Sequence, residues 1–297
     1  MIGSLITAFL TSLAFLLTTF LIPFLISLFT NFSLKKAINT TKNLLYITGT
    51  KVLFITLVFN ATVFFAITWS YEKFHIADFP VLNVAISIFV VFFIMSYSFI
   101  LSPILSIRFN SNFVREPKYT EFLATRFDAD MVVRVVDCDL KNAYATGILP
   151  FYKIILLGRP LVEQMTEVEL KGVIAHEYAH NKFNHVLKIY LVSLFGILLN
   201  FGLFYAFLKV NFHLPEAFKF AILGGVGGFI NFTLLPGIFR KRFEFQADSF
   251  AAETIGAEDY ERALKRLDRM TDGALTRGSS THPNLEQRIK NIYKNHE

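Results

Sequence analysis

The stretch Gly172-Val-Ile-Ala-His-Glu-Tyr-Ala-His180 decides how this chain is read. It has the form H-E-x-x-H. On a helix, His176 and His180 lie one turn apart and project from the same face. Two imidazoles so placed can each give a nitrogen to one Zn²⁺, with Glu177 beside them in the place of a general base for peptide hydrolysis. The flanks suit a helix: Thr166 followed by Glu169 reads as a capping box, and Val168, Val173 and Ile174 offer an apolar face. A zinc ion held this way needs one more protein donor and an open fourth position. The candidate is Glu244, in Arg242-Phe-Glu-Phe-Gln-Ala-Asp248. Glu244 and Asp248 are again one helical turn apart. One carboxylate can therefore bind metal while the other accepts a hydrogen bond from a ligand histidine and fixes its tautomer.

Composition points to a membrane. Of the 297 residues, 54% are hydrophobic and 35 are phenylalanine. Five uncharged stretches are long enough to cross a hydrocarbon core as helices, within Met1–Leu34, Val52–Tyr71, Phe79–Ile107, Ile189–Leu208 and Phe220–Phe239. The first has no basic leader and is too long for a signal core, so it reads as a retained anchor. Pro23 and Pro103 are expected to kink or shorten their spans. Cys138 is the single cysteine, which excludes an internal disulfide and argues against thiolate ligation of the metal.

The net charge of +6 could signal nucleic acid, but the basic residues are placed otherwise. Lys35, Lys36, Lys42 and Lys51 separate the first two spans, Arg108, Arg115, Lys118 and Arg126 follow the third, and Arg240, Lys241 and Arg242 follow the fifth. These juxtamembrane clusters set topology and touch anionic lipid. They put residues 35–51, 108–188 and 240–297 on the cytoplasmic side, and the 72–78 and 209–219 loops outside. The chain then divides into a three-span region 1–107, a cytoplasmic part 108–188 with the H-E-x-x-H helix, a membrane hairpin 189–239, and a cytoplasmic part 240–297 with Glu244. The expected fold is mainly α, a multi-span helical membrane protein whose cytoplasmic zincin-like domain contains a small β-sheet.

Within residues 108–188, Met131–Val136 and Lys153–Leu157 read as strands. Asn142-Ala-Tyr-Ala-Thr-Gly147 reads either as an edge strand that an extended peptide could join or as a plain loop. Residues 259–270 and 283–293 are expected to be helical, and 273–280 a flexible loop. No ionisable residue lies inside the five spans, which argues against a transporter or channel. Glu167, Glu169, Lys171 and Lys182 surround the H-E-x-x-H motif, which places it at water and excludes an intramembrane protease.

Four motifs together resemble the HtpX-type and type I CAAX prenyl protease family of integral-membrane zinc endopeptidases. They are Asn142–Gly147, Ala175-His-Glu-Tyr-Ala-His180 with His185 downstream, Phe243-Glu-Phe-Gln-Ala-Asp-Ser-Phe250, and Ser280-Thr-His-Pro-Asn-Leu-Glu-Gln-Arg288. They span roughly Asp137 to Tyr293, about half the chain. The resemblance implies one Zn²⁺ on His176, His180 and Glu244, with Glu177 as base, Asp248 in support and His282 in the active site. Asn142 would contact substrate backbone, with Tyr144 and Thr146 on the same strand. Tyr144 and Tyr178 stand behind His282 as oxyanion donors. His185, five residues past His180, would leave the ligand face of a continuous helix and reads as an ordinary exposed histidine. The resemblance implies a peptide or protein substrate, a lipid bilayer and no nucleic acid. It also implies residence in a bacterial inner membrane, or in the endoplasmic reticulum of a eukaryote. It leaves open quality control of membrane proteins, processing of lipidated C-termini, and a catalytically inactive zinc-binding scaffold.

Overall fold

Long apolar helices occupy the N-terminal part of the computed structural model, which describes residues 2–31, 33–75, 80–209, 235–279 and 282–294. The chain divides into two compact units, Met1–Val114 with Val135–Leu140, and Arg115–Arg134 with Lys141–Glu297.

The first unit is built from α1 (Ile2–Asn31), α2 (Leu34–Thr48), α3 (Thr50–Lys73), α4 (Pro80–Ser96) and α5 (Ser102–Phe109). Among the described residues, Thr50–Lys73 and Ile88–Phe109 are long and apolar enough to cross a membrane. Their outward side chains fit that solvent: Phe54 is 67% exposed and Phe89 58%, an arrangement water would disfavour. The first expected stretch is the uncharged helix α1. Pro23 does not interrupt it. Pro103 does not stop its helix either. A π-helical turn, Tyr97–Leu101, joins α4 to α5 just before it, where a proline removes a backbone donor and the ladder must re-form. The Thr56 and Tyr97 hydroxyls share a hydrogen bond that ties α3 to this turn. The basic segment after the first span is the helix α2 rather than a loop. Ser33 caps its start, and Asn110 Nδ2 closes its end by donating to the Tyr46 and Ile47 carbonyls. The expected fifth span lies, up to residue 234, outside the described residues, as does the 210–219 loop.

The second unit carries the candidate chemistry. A four-stranded sheet has the order β1 (Phe113–Arg115), β2 (Val132–Val136), β4 (Ile154–Gly158), β3 (Ala143–Thr146). The run Ile154-Ile-Leu-Leu-Gly158 is wholly buried, as an inner strand requires. β3 pairs antiparallel with it, Ala143 opposite Leu157 and Thr146 opposite Ile154, and so forms the free edge. The hairpin between them turns at Gly147, at φ 98°, where a Cβ would stand 2.2 Å from the Tyr152 carbonyl oxygen; glycine alone fits. Within the Asn142–Gly147 segment, Ala143–Thr146 therefore form an edge strand rather than a loop.

The helix α7 (Arg159–Gln164) leads into α8 (Glu167–Lys182), whose capping box closes as the Thr166 and Glu169 pattern requires. Leu170 and Ile174 of α8 are fully buried, as are Val133, Ile155 and Leu157 of the sheet. α8 ends at Phe183, and Asn184 takes a left-handed conformation (φ 53°). Lys153 Nζ donates there to the Asn181 carbonyl and to Asn184 Oδ1, neutralising the exposed acceptors of the helix end. The apolar helix α9 (His185–Lys209) then leaves at a bend of 48°.

Two C-terminal helices, α10 (Leu235–Ile255) and α11 (Ala257–Met270), close over α8, and α13 (Leu285–Lys294) packs on both of them. α8 approaches them closely because Gly172 has no side chain; a Cβ there would stand 2.6 Å from Ile255 Cδ1 and 3.1 Å from Tyr260 Cδ2. The segment expected as a flexible loop contains a short helix, α12 (Ala274–Arg277). It is pinned by Asp268, which accepts from the Thr276 amide and hydroxyl.

The C-terminal helices are joined through charge. Arg288 of α13 donates from Nε and Nη2 to the Asp248 carboxylate of α10, at 2.9 and 2.5 Å. Asp248 is fully buried and Arg288 is 7% exposed. Removing one partner of such a pair strands the other without solvent, at a cost of about 3–5 kcal/mol. Arg288→Ala is expected to lose about that much in chemical or thermal unfolding, and Arg288→Ala combined with Asp248→Asn to recover part of it. An Arg288→Ala protein that unfolds like the wild type would remove this pair from the account of stability.

Candidate metal centre and active site

His176, His180 and Glu244 converge, with one donor atom from each lying within 4.8 Å of the others. His176 Nε2 and His180 Nε2 are 3.1 Å apart. His176 Nε2 lies 3.7 Å from Glu244 Oε2, and His180 Nε2 3.6 Å from Glu244 Oε1. Donors on a tetrahedral zinc with bonds of about 2.0–2.1 Å sit about 3.3 Å from one another. Two imidazoles and one carboxylate at these separations fit Zn²⁺ and leave one position open. The helix pitch supplies the His176–His180 spacing, and the packing of α10 on α8 brings in Glu244, 64 positions after His180 in the sequence.

The outer nitrogen of each imidazole has its own partner. His176 Nδ1 is 3.1 Å from Asp248 Oδ1 and 2.9 Å from the Tyr260 hydroxyl, which itself donates to Asp248 Oδ1 at 2.7 Å. The hydrogen on Nδ1 therefore points to the carboxylate, and Nε2 keeps its lone pair for the metal position. Asp248 thus sits where the sequence reading expects a supporting carboxylate. Tyr260 and Arg288 complete it. Neither was assigned a role from sequence, although Arg288 stands inside the Ser280–Arg288 motif; Tyr260 left no signal there.

His185 corrects the sequence reading. It is 2% exposed, its Nδ1 lies 2.9 Å from His180 Nδ1, its Nε2 lies 3.0 Å from Gln246 Oε1, and its ring stacks on Phe243 at 4.2 Å. The expectation of an exposed ring assumed one continuous helix. The break at 183–184 turns the chain, so the first residue of α9 folds back against His180. Tyr178 is also corrected as an oxyanion donor. Its ring stacks on Phe127 at 4.5 Å and packs near Phe250, in an aromatic cluster away from the metal position.

The charges are set by burial and by these partners. Burial raises the Glu177 carboxyl above its usual range, toward that of a base working near neutrality. Glu244 goes the other way: burial opposes its charge, but the hydrogen bond from His282 and the charges of His176 and Arg288 bring it down to about 2. Burial pushes His180 down to about 3 and His185 down to about 4, so both rings are neutral at physiological pH. At His176 burial also disfavours the cation, but Asp248 and Glu244 outweigh it and raise the pKa.

Glu177 Oε2 accepts a 2.6 Å hydrogen bond from the Ala145 amide, an outward-facing donor of the free β3 edge. The base and the edge strand therefore adjoin. Asn142 precedes β3, with its carbonyl bonded to the Gly158 amide and its side chain exposed. Tyr144 is 41% exposed, and Thr146 is half-buried at the strand's end. His282 Nδ1 lies 3.3 Å from Glu244 Oε2, so the structure brings His282 to the ligand set.

Comparison with known proteins agrees with this geometry. Residues 120–296 match the family described as peptidase family M48. A CAAX prenyl protease 1 homolog of Arabidopsis thaliana is 29% identical over 168 residues, 51% of this chain and 39% of that protein. A protease HtpX homolog of Bacteroides fragilis is 28% identical over 197 residues, 53% of this chain and 61% of that protein. The chain thus matches less than two thirds of the length of either relative. The crystal structure of S. mikatae Ste24p superposes with a TM-score of 0.58 at 20% identity, covering 76% of this chain and 64% of that one, and so shares its fold. Because the family match runs over more than half of the chain and takes in all the residues gathered here, from Asn142 to Arg288, the chain belongs to peptidase family M48.

Proposed function

We propose that the protein is a membrane-embedded zinc metalloendopeptidase that cleaves membrane or membrane-associated proteins near the cytoplasmic face, in protein quality control. The observation that carries this reading is the convergence of His176, His180 and Glu244, with Glu177 beside them and hydrogen-bonded to a free strand edge. His176, His180 and Glu244 would hold the zinc, which when bound would supply Lewis-acid polarisation. Glu177 would take a proton from the attacking water and deliver it to the leaving amine. His282, beside Glu244, is the proposed donor to the negative charge that develops on the carbonyl oxygen. A second reading, processing of lipidated C-termini, is favoured by relatives named CAAX prenyl protease 1 homolog, and the two differ in substrate rather than in chemistry.

His176→Ala, His180→Ala and Glu244→Ala should each lose bound zinc together with peptidase activity. Glu177→Gln should keep its zinc and lose about 10²–10⁴-fold in kcat, the usual share of a general base. Metal analysis beside peptide hydrolysis reads both, and full zinc occupancy in Glu244→Ala would exclude it as the third ligand.

Substrate is proposed to join the β3 edge as an added strand, with Asn142 fixing its register. Strand pairing uses alternate amides. N-methylation of peptide amides of one parity should therefore lower kcat/KM by tenfold or more, and methylation of the other parity should not. Equal tolerance at both parities would mean that substrate binds elsewhere. Ala145→Pro is a less direct probe, because the same substitution strips the Glu177 hydrogen bond.

The distribution of basic residues supports a cytoplasmic site. A reporter after Glu297 should register on the cytoplasmic side and one inserted in the 72–78 loop on the opposite side; both on one side would refute the proposed topology.

A further inference from the structure

We propose that His185 and Gln246 are positioning residues that set the hydrogen-bond polarity of the His180 ring and so leave His180 Nε2 open to metal. The inference rests on the zinc reading above and goes beyond the ligand set.

The two ligand histidines are supported differently. His176 Nδ1 faces a carboxylate, which only accepts, so its ring has one polarity. His180 Nδ1 faces another imidazole nitrogen, His185 Nδ1 at 2.9 Å. A neutral imidazole donates from one nitrogen and accepts at the other. Two neutral rings joined Nδ1 to Nδ1 therefore have two arrangements, and the contact alone does not choose between them.

The choice is made at the far end. His185 Nε2 lies 3.0 Å from Gln246 Oε1, an acceptor. With that carbonyl oxygen in place, His185 carries its hydrogen on Nε2 and offers a lone pair at Nδ1. His180 must then donate from Nδ1, which leaves the lone pair on Nε2, the nitrogen 3.1 Å from His176 Nε2 and 3.6 Å from Glu244 Oε1. A donor at position 246 would reverse both links and present a hydrogen on His180 Nε2 to the metal position. Stacking of His185 on Phe243 holds the intermediate ring in plane. Gln246 sits on α10 two residues from Glu244, so the helix that brings the third ligand also brings the acceptor that orients the second.

Gln246 is exposed, so position 246 can be changed without opening the core. The test is zinc affinity by chelator competition on the purified full chain, with the melting temperature of the zinc-free protein in parallel. His185→Ala and Gln246→Met should each bind zinc about 10–100-fold more weakly, the usual cost of losing a partner behind a metal ligand. Gln246→Glu, which keeps an acceptor, should bind at least as tightly as wild type, and Gln246→Lys, a donor only, should bind about as weakly as Gln246→Met or more so. Arg242→Glu, an exposed charge change one helical turn before Gln246, should leave affinity within about threefold and so separates polarity from net charge. Zinc-free melting temperatures of the position 246 variants should match the wild type. If acceptor and donor variants at 246 bind zinc alike, or if Arg242→Glu shifts affinity as much as they do, the relay is refuted while the metal site stands. If the wild type binds no zinc, the metal reading itself fails.

Discussion

Asp248 holds a negative charge in full burial, and the arrangement of the C-terminal helices follows from the donors that charge requires. A buried carboxylate without partners would protonate or unfold its surroundings. Here Arg288 donates twice, Tyr260 once, and His176 presents its Nδ1. Those four residues come from four helices, α8, α10, α11 and α13. Their meeting point is also the support of a candidate metal ligand, so one constraint serves stability and chemistry together. Against the opposing effect of burial, Arg288 and His176 keep the Asp248 carboxyl well below the usual carboxylate range. Its contribution is therefore complete above about pH 4 and is lost progressively as the pH falls from there through the lower folded-state pKa, because the unfolded chain takes up the proton that the folded carboxylate resists.

The helix bend after Lys182 is the second organising feature. A continuous helix would carry the apolar run of α9 straight on from the ligand face and turn His185 away. The left-handed Asn184, with Lys153 donating to its Oδ1 and to the Asn181 carbonyl, ends α8 instead. α9 then begins with a residue that folds back to His180. One local break thus separates a polar helix carrying ligands from an apolar helix with exposed Leu191 and Phe195, which fit lipid, and it adds a partner to the ligand set.

Much of this site was legible in the sequence because its signals are local. The H-E-x-x-H spacing, the capping box at Thr166, and the Glu244–Asp248 turn are all periodicities within one helix, and each holds in the structure. The edge strand at 143–146 was open between strand and loop because four alternating residues carry too little pattern to choose; pairing with the apolar β4 decides it. What stayed hidden depends on tertiary contacts. Tyr260 is a tyrosine in an amphipathic helix, and nothing within α11 marks its hydroxyl as a partner of His176. His185 was misplaced because the break at Asn184 has no proline or glycine to announce it. The span count rests on apolar length alone, and of the five expected stretches two meet the length and composition test in full among the described residues.

The contact between Glu177 and the Ala145 amide joins two requirements that are usually described apart. A base that works on a water near the metal position must be held within reach of it. An edge strand that captures peptide must present its outward amides. At Ala145 one amide serves the first need, since the carboxylate accepts from it at 2.6 Å. An added strand pairs with alternate residues, so Ala143, two positions earlier, presents its amide along the same edge. A peptide added to the edge, as proposed, would align beyond Ala145 while Glu177 remains tethered to the strand itself. On the proposed edge pairing, the strand would fix the base and the substrate in one frame, and the distance between them would be set by backbone geometry.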